Sequence, residues 1–171
     1  MKKIILITSI FLIEKTIAQT PEEKLAAAGI QLPNLSAPVA NYVNVVKTGN
    51  LLFLSGKGPS DQSGKYITGK LGNNLTIEEG YSAARLTAIN QLAVLKKELG
   101  ELSKIKRIVK VLGLVNSSSD FYEQPKVMNG FSDLMVLAFG EKGKHARSAI
   151  GTNTLPFNMA VEVELIVEIE N

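Results

Sequence analysis

Arg147 is the side chain best suited to hold a small acidic molecule. It is one of three arginines, with Arg85 and Arg107. Arg85 falls within a helical pattern and Arg107 beside lysines in a β-branched run, so both read as structural or surface residues. Arg147 opens a short strand-like segment next to Ser148 and Ala149. A guanidinium can form two parallel hydrogen bonds to a carboxylate, and small neighbours leave room for the ligand. Glu162 begins an alternating segment after Thr154-Leu155-Pro156. If the flanking strands pair as a hairpin, Glu162 approaches Arg147. A carboxylate beside a cation stays ionised and can act as a general base toward water. Taken singly, both residues also fit plainer roles: Arg147 in a surface ion pair, and Glu162, like Glu164, Glu168 and Glu170, on the solvent face of a strand.

Composition removes several other chemistries. There is no cysteine and one histidine, His145, so thiol nucleophiles, thiolate metal sites and a multi-histidine metal centre have no support. The N-terminus begins Met1-Lys2-Lys3 and continues as an apolar run from Ile4 to Ile13, then places small residues at Thr16-Ile17-Ala18. This is the pattern of a secretory signal peptide over residues 1–18, too short to remain as a membrane anchor. A periplasmic or secreted location follows, with residues 19–171 as a single domain. Removing Lys2, Lys3, Lys15 and Glu14 lowers the net charge from +3 to about +1. A basic footprint for nucleic acid is therefore absent.

The elements that must position these residues are legible in outline. Thr20-Pro21-Glu22-Glu23 and Thr76-Ile77-Glu78-Glu79 are capping boxes that open helices. The first helix is expected to run to about Ala28, and the second from Ile77 to Leu99, with Gly100 ending it. Its Ala84, Ala88, Leu92 and Leu95 recur at helical spacing. A third helix is expected from Phe121 to Phe139, with Pro125 in its first turn. Strands are expected over Val39–Lys47 and Leu51–Gly56, joined as a hairpin by Thr48-Gly49-Asn50, and over Ile105–Val115, Arg147–Gly151 and Ala160–Glu170. The fold class is α+β, with two long helices layered on one face of a mixed sheet. Leu51–Leu54 and Ile105–Leu112 are apolar on both faces, and Ile166 sits among glutamates. The helices cover one face only, so the other needs a second subunit.

The chain resembles the Rid/YjgF family. Ala37-Pro38-Val39-Ala40-Asn41-Tyr42-Val43 followed by Gly49 to Gly56 resembles its opening hairpin. Ser118-Ser119-Asp120-Phe121 resembles the segment before its second long helix. His145-Ala146-Arg147-Ser148-Ala149 resembles its Pro-Ala-Arg-Ser signature, and Leu155-Pro156 with Val161-Glu162-Val163-Glu164 resembles its closing motif. The resemblance implies a chorismate-mutase-like fold, a homotrimer with sites between subunits, and no cofactor. It implies a hydrolase acting on C–N bonds, which deaminates reactive enamines and imines derived from amino acids. Arg147 would hold the substrate carboxylate, Glu162 would position or activate water, and Tyr42 and Ser55 would line the pocket. Ala149, Ser119 and Lys57 stand where Cys, Asn and Gln are common, which marks a divergent branch. Two alternatives use the same chain: a binding module that captures a small carboxylate or keto acid without turnover, and an endoribonuclease-like protein.

Overall fold

The computed structural model describes residues 19–34 and 41–170. The expected signal peptide at 1–18, and residues 39–40 of the expected first strand, lie outside the described residues. Helix α1 spans Pro21–Ala27, α2 Ile77–Leu99 and α3 Gln124–Phe139. Strands β1 (Val45–Thr48), β2 (Leu51–Lys57), β3 (Ile105–Asn116), β4 (Ala146–Thr152) and β5 (Val161–Ile169) form one sheet in the order β1-β2-β5-β3-β4. β3 and β4 are parallel and the other neighbours antiparallel.

Both capping boxes form: Thr20 and Thr76 each accept from the backbone N–H three residues on, and Glu23 and Glu79 reach back. Helix α3 begins at Gln124, later than its apolar pattern suggests. Pro125 lacks a backbone donor and fits only the first turn, where donors have no intrahelical partner anyway. The core lies between the helices and one sheet face. Ala84, Ala88, Leu92 and Leu95 of α2 and Phe131, Leu134 and Met135 of α3 are fully buried against it. From the sheet come Leu52, Val111, Val163 and Val167, also fully buried. Helices α2 and α3 approach closely at Gly130, where a Cβ would run into the Tyr81 carbonyl.

One expectation fails. The strands carrying Arg147 and Glu162 do not form a hairpin, because β3 lies between β4 and β5. Helix α3 is the crossover from β3 to β4, and a helical crossover returns the chain parallel to the strand it left. That carries β4 to the outer side of β3 and leaves it at the sheet edge. Segment 153–160 then crosses back to β5 through a 3-10 turn at Pro156–Asn158 with two left-handed residues, Phe157 and Asn158.

Candidate functional site

The pleat of the sheet decides where each candidate side chain points. On β5, Val161, Val163, Leu165 and Val167 are buried beneath the helices, so Glu162, Glu164 and Ile166 face the other way. On β4, Arg147 pairs with the buried Val111 and faces the helices. Arg147 and Glu162 therefore lie on opposite faces of the sheet. Val111 is paired with Leu165, while Glu162 is paired with Leu114. The two residues are thus two strands and three positions apart, roughly 14 Å within the sheet. Within one chain they cannot hold the same small molecule.

Glu162 has its own surroundings. Strand β2 bulges between Leu54 and Lys57, opposite Val163. The bulge ends the β1–β2 ladder at the Val45–Leu54 pair, which makes β1 shorter than its sequence suggests. It also brings Gly56 against Glu162, so that a Cβ at Gly56 would collide with the carboxylate. Glu162 is half-buried and forms no hydrogen bond or ion pair among the described residues. Burial, with the nearby Glu164 charge, pushes its carboxyl above the ordinary range. A carboxylate so placed is desolvated but not neutralised by a cation, as a proton-accepting group requires.

The bulge is held from both sides. Gln91, fully buried on α2, donates through Nε2 to the Ser55 carbonyl at 3.0 Å and to the Val163 carbonyl at 2.7 Å. The Ser55 hydroxyl donates to the Val43 carbonyl at 2.7 Å. This ties the bulge to the segment carrying Tyr42, which precedes β1 rather than lying within it and is 52% exposed. Tyr42 borders a cavity of about 310 Å³ together with Asn44, Val94, Lys97 and Glu98. Lys57 donates to Asn44 Oδ1 at 2.6 Å, and burial pushes its ammonium below the ordinary lysine value. Ser55 and Gly56 thus place the β2 bulge beside Glu162, Tyr42 lies with α2 residues at a separate cavity, and Arg147 sits apart against α3.

Arg147 is braced against α3. Nη1 donates to Asn129 Oδ1 at 3.1 Å and to Ser132 Oγ at 2.9 Å, and Nη2 to the Pro125 carbonyl at 3.3 Å. Ser132 Oγ also lies 3.0 Å from His145 Nε2, and His145 Nδ1 lies 2.7 Å from the Gly143 carbonyl. Asn129 and Ser132 carried no signal in the sequence, because only the packing of α3 over β4 brings them to Arg147. Among the described residues, no group of three or more His, Cys, Asp or Glu converges to hold a metal.

Residues 22–169 match the family described as "YjgF/chorismate_mutase-like, putative endoribonuclease". The chain belongs to this family. It is 46% identical to Protein TCP17 of Trypanosoma cruzi, covering 86% of this chain and 92% of that one. It is 28% identical to a 2-iminobutanoate/2-iminopropanoate deaminase of Dermatophagoides farinae, over 82% of this chain and 95% of that one. Among solved structures, it resembles Atu1372 of Agrobacterium tumefaciens, a protein of unknown function. That likeness has a TM-score of 0.82 and 43% identity, over 89% of this chain and 93% of that one. A Shewanella oneidensis protein bearing the endoribonuclease label matches with a TM-score of 0.85 and 40% identity, over 88% and 100%. The five-stranded mixed sheet with helices on one face is the fold of this YjgF-like family.

Proposed function

We propose that the protein is a hydrolytic deaminase of enamine and imine intermediates derived from amino acids. Its sites are shared between subunits of a homotrimer, and the mature chain is exported after loss of residues 1–18. The observation that carries this reading is Glu162: half-buried, raised in pKa and without a hydrogen-bonding partner among the described residues, its carboxylate packed where only a glycine, Gly56, leaves room. A relative bearing a deaminase name supports the reaction class.

The chemistry runs as follows. The Arg147 guanidinium binds the carboxylate of the 2-imino acid, and Tyr42 and Ser55 border the pocket. Glu162 accepts a proton from water as the water oxygen bonds to the imine carbon. Glu162 returns that proton to nitrogen to give a carbinolamine. It then carries the carbinol hydroxyl proton to the same nitrogen as the C=O bond forms and the C–N bond breaks, releasing ammonia and a 2-keto acid. An enamine enters after tautomerising to the imine. The substrate is already reactive, so orientation supplies much of the acceleration. Because Arg147 and Glu162 face opposite sides of the sheet, the proposed site takes Arg147 from the edge strand of one subunit and Glu162 from its neighbour.

Ammonia release is to be measured with an imine generated in place by an amino-acid oxidase. The protein accelerates release, and Arg147→Ala and Glu162→Gln each remove the acceleration. Unfolding and reassembling the two inactive variants together restores part of the activity, because each trimer containing both has a junction with both native residues. Activity that never returns on co-assembly excludes the shared site. No acceleration across several amino acids leaves carboxylate capture without turnover as the better reading.

A further inference from the structure

The hydrogen bonds around Arg147 form a directed chain that has no place in the mechanism above. The Gly143 carbonyl can only accept, so His145 Nδ1 carries the proton in that 2.7 Å contact. Burial holds the imidazole neutral at pH 7 by lowering its pKa, with a smaller contribution from the Arg147 charge. Nε2 is then an acceptor, and the Ser132 hydroxyl at 3.0 Å must donate to it. With its proton turned toward His145, Ser132 Oγ directs lone pairs elsewhere and accepts from Arg147 Nη1 at 2.9 Å. Each link sets the direction of the next, from a backbone carbonyl to the guanidinium.

We infer that His145 and Ser132 are positioning residues, which fix the guanidinium of Arg147 in one orientation and so set the protein's affinity for the carboxylate of its substrate. This rests on reading Arg147 as the carboxylate clamp. An arginine side chain is long and loses much rotational freedom when it grips a ligand. Holding it beforehand through Ser132, with Asn129 and the Pro125 carbonyl as further acceptors, removes part of that cost. The arrangement commits both Nη1 protons and one Nη2 proton to α3, leaving Nε–H and the second Nη2 proton for a ligand carboxylate.

The test combines nitrogen NMR with kinetics on the full chain. In the wild-type protein, ¹⁵N shifts of the His145 ring show protonated Nδ1 and unprotonated Nε2, and the Arg147 Nη signals show hindered rotation. Ser132→Ala and His145→Gln free that rotation. Each raises KM for 2-imino acids about tenfold, the effect of losing one hydrogen bond to a charged group, while kcat changes less than twofold. Ser132→Thr keeps the hydroxyl and restores both readouts. A His145 ring protonated at Nε2 overturns the inference, as does an unchanged KM in folded Ser132→Ala. The NMR readout needs no turnover. Ordered Arg147 signals that require Ser132, in a protein without deaminase activity, count against the proposed reaction and leave the relay standing. Arg147-dependent turnover that ignores Ser132 and His145 counts against the relay alone.

Discussion

At the scale of single residues, the burial of Glu162 carries a cost to the fold. Its folded-state pKa is raised, so the folded protein binds its proton more tightly than the unfolded chain does. Stability from this group is therefore greatest at low pH and falls as pH rises through the window above the ordinary carboxylate value. Glu162→Gln is expected to melt higher than wild type at pH 7 and above, while losing ammonia release. Thermal melts paired with the oxidase-coupled assay check both. With Glu162 as the proposed base, wild-type ammonia release is expected to rise with pH as Glu162 ionises, its acid limb in kcat/KM lying above the range of an exposed glutamate. Gly56 belongs to the same calculation. Gly56→Ala drives a methyl group into the carboxylate, and on the proposed reading it is expected to lower ammonia release by displacing Glu162 while changing keto-acid binding little.

At the scale of elements, helix α2 acts as the clamp for the bulge. Gln91 is fully buried and its amide spans the carbonyls of Ser55 on β2 and Val163 on β5. Without it, two carbonyls beneath the helix lose their donor. Gln91→Leu is expected to cost about 2–4 kcal/mol, since each unsatisfied buried group costs about 1–3 kcal/mol and part of the loss is recovered by apolar packing. Urea denaturation measures that cost, and the variant should also lose turnover as Ser55 and Gly56 shift. The α2–α3 contact makes a second case. Gly130→Ala forces the helices apart at the Tyr81 carbonyl and is expected to cost about 1–3 kcal/mol by urea denaturation.

At the scale of the whole molecule, the uncovered sheet face is the dominant feature. Val46, Phe53 and Ile150 are 56%, 41% and 49% exposed, and Phe53, Leu112 and Ile166 line a cavity of about 290 Å³ on that face with Lys110 and Glu164. Contiguous apolar surface of this kind marks a contact between proteins. Light scattering at micromolar concentration is expected to give a trimer. Phe53→Glu should yield smaller species and abolish activity while each chain remains folded by circular dichroism. A wild-type monomer that still deaminates imines would refute the shared site.

Much of this was determined by local sequence. The capping boxes, the limits of α2, the alternation of β5 and the apolar character of both sheet faces follow from periods of two and 3.6 residues and from the chemistry of helix ends. Those patterns act over a few residues and survive any tertiary arrangement. Tyr42, Ser55, Arg147 and Glu162 came together as a set only through the resemblance to the family's motifs. The tertiary structure alone decided that Arg147 and Glu162 face opposite sides of the sheet. Strand order depends on where the α3 crossover returns the chain, and no local period records that. The same packing brought Ser132 and Asn129 to Arg147, and Gln91 to the bulge. Those contacts join residues far apart in sequence, and burial in the shared core between helices and sheet is what holds them together.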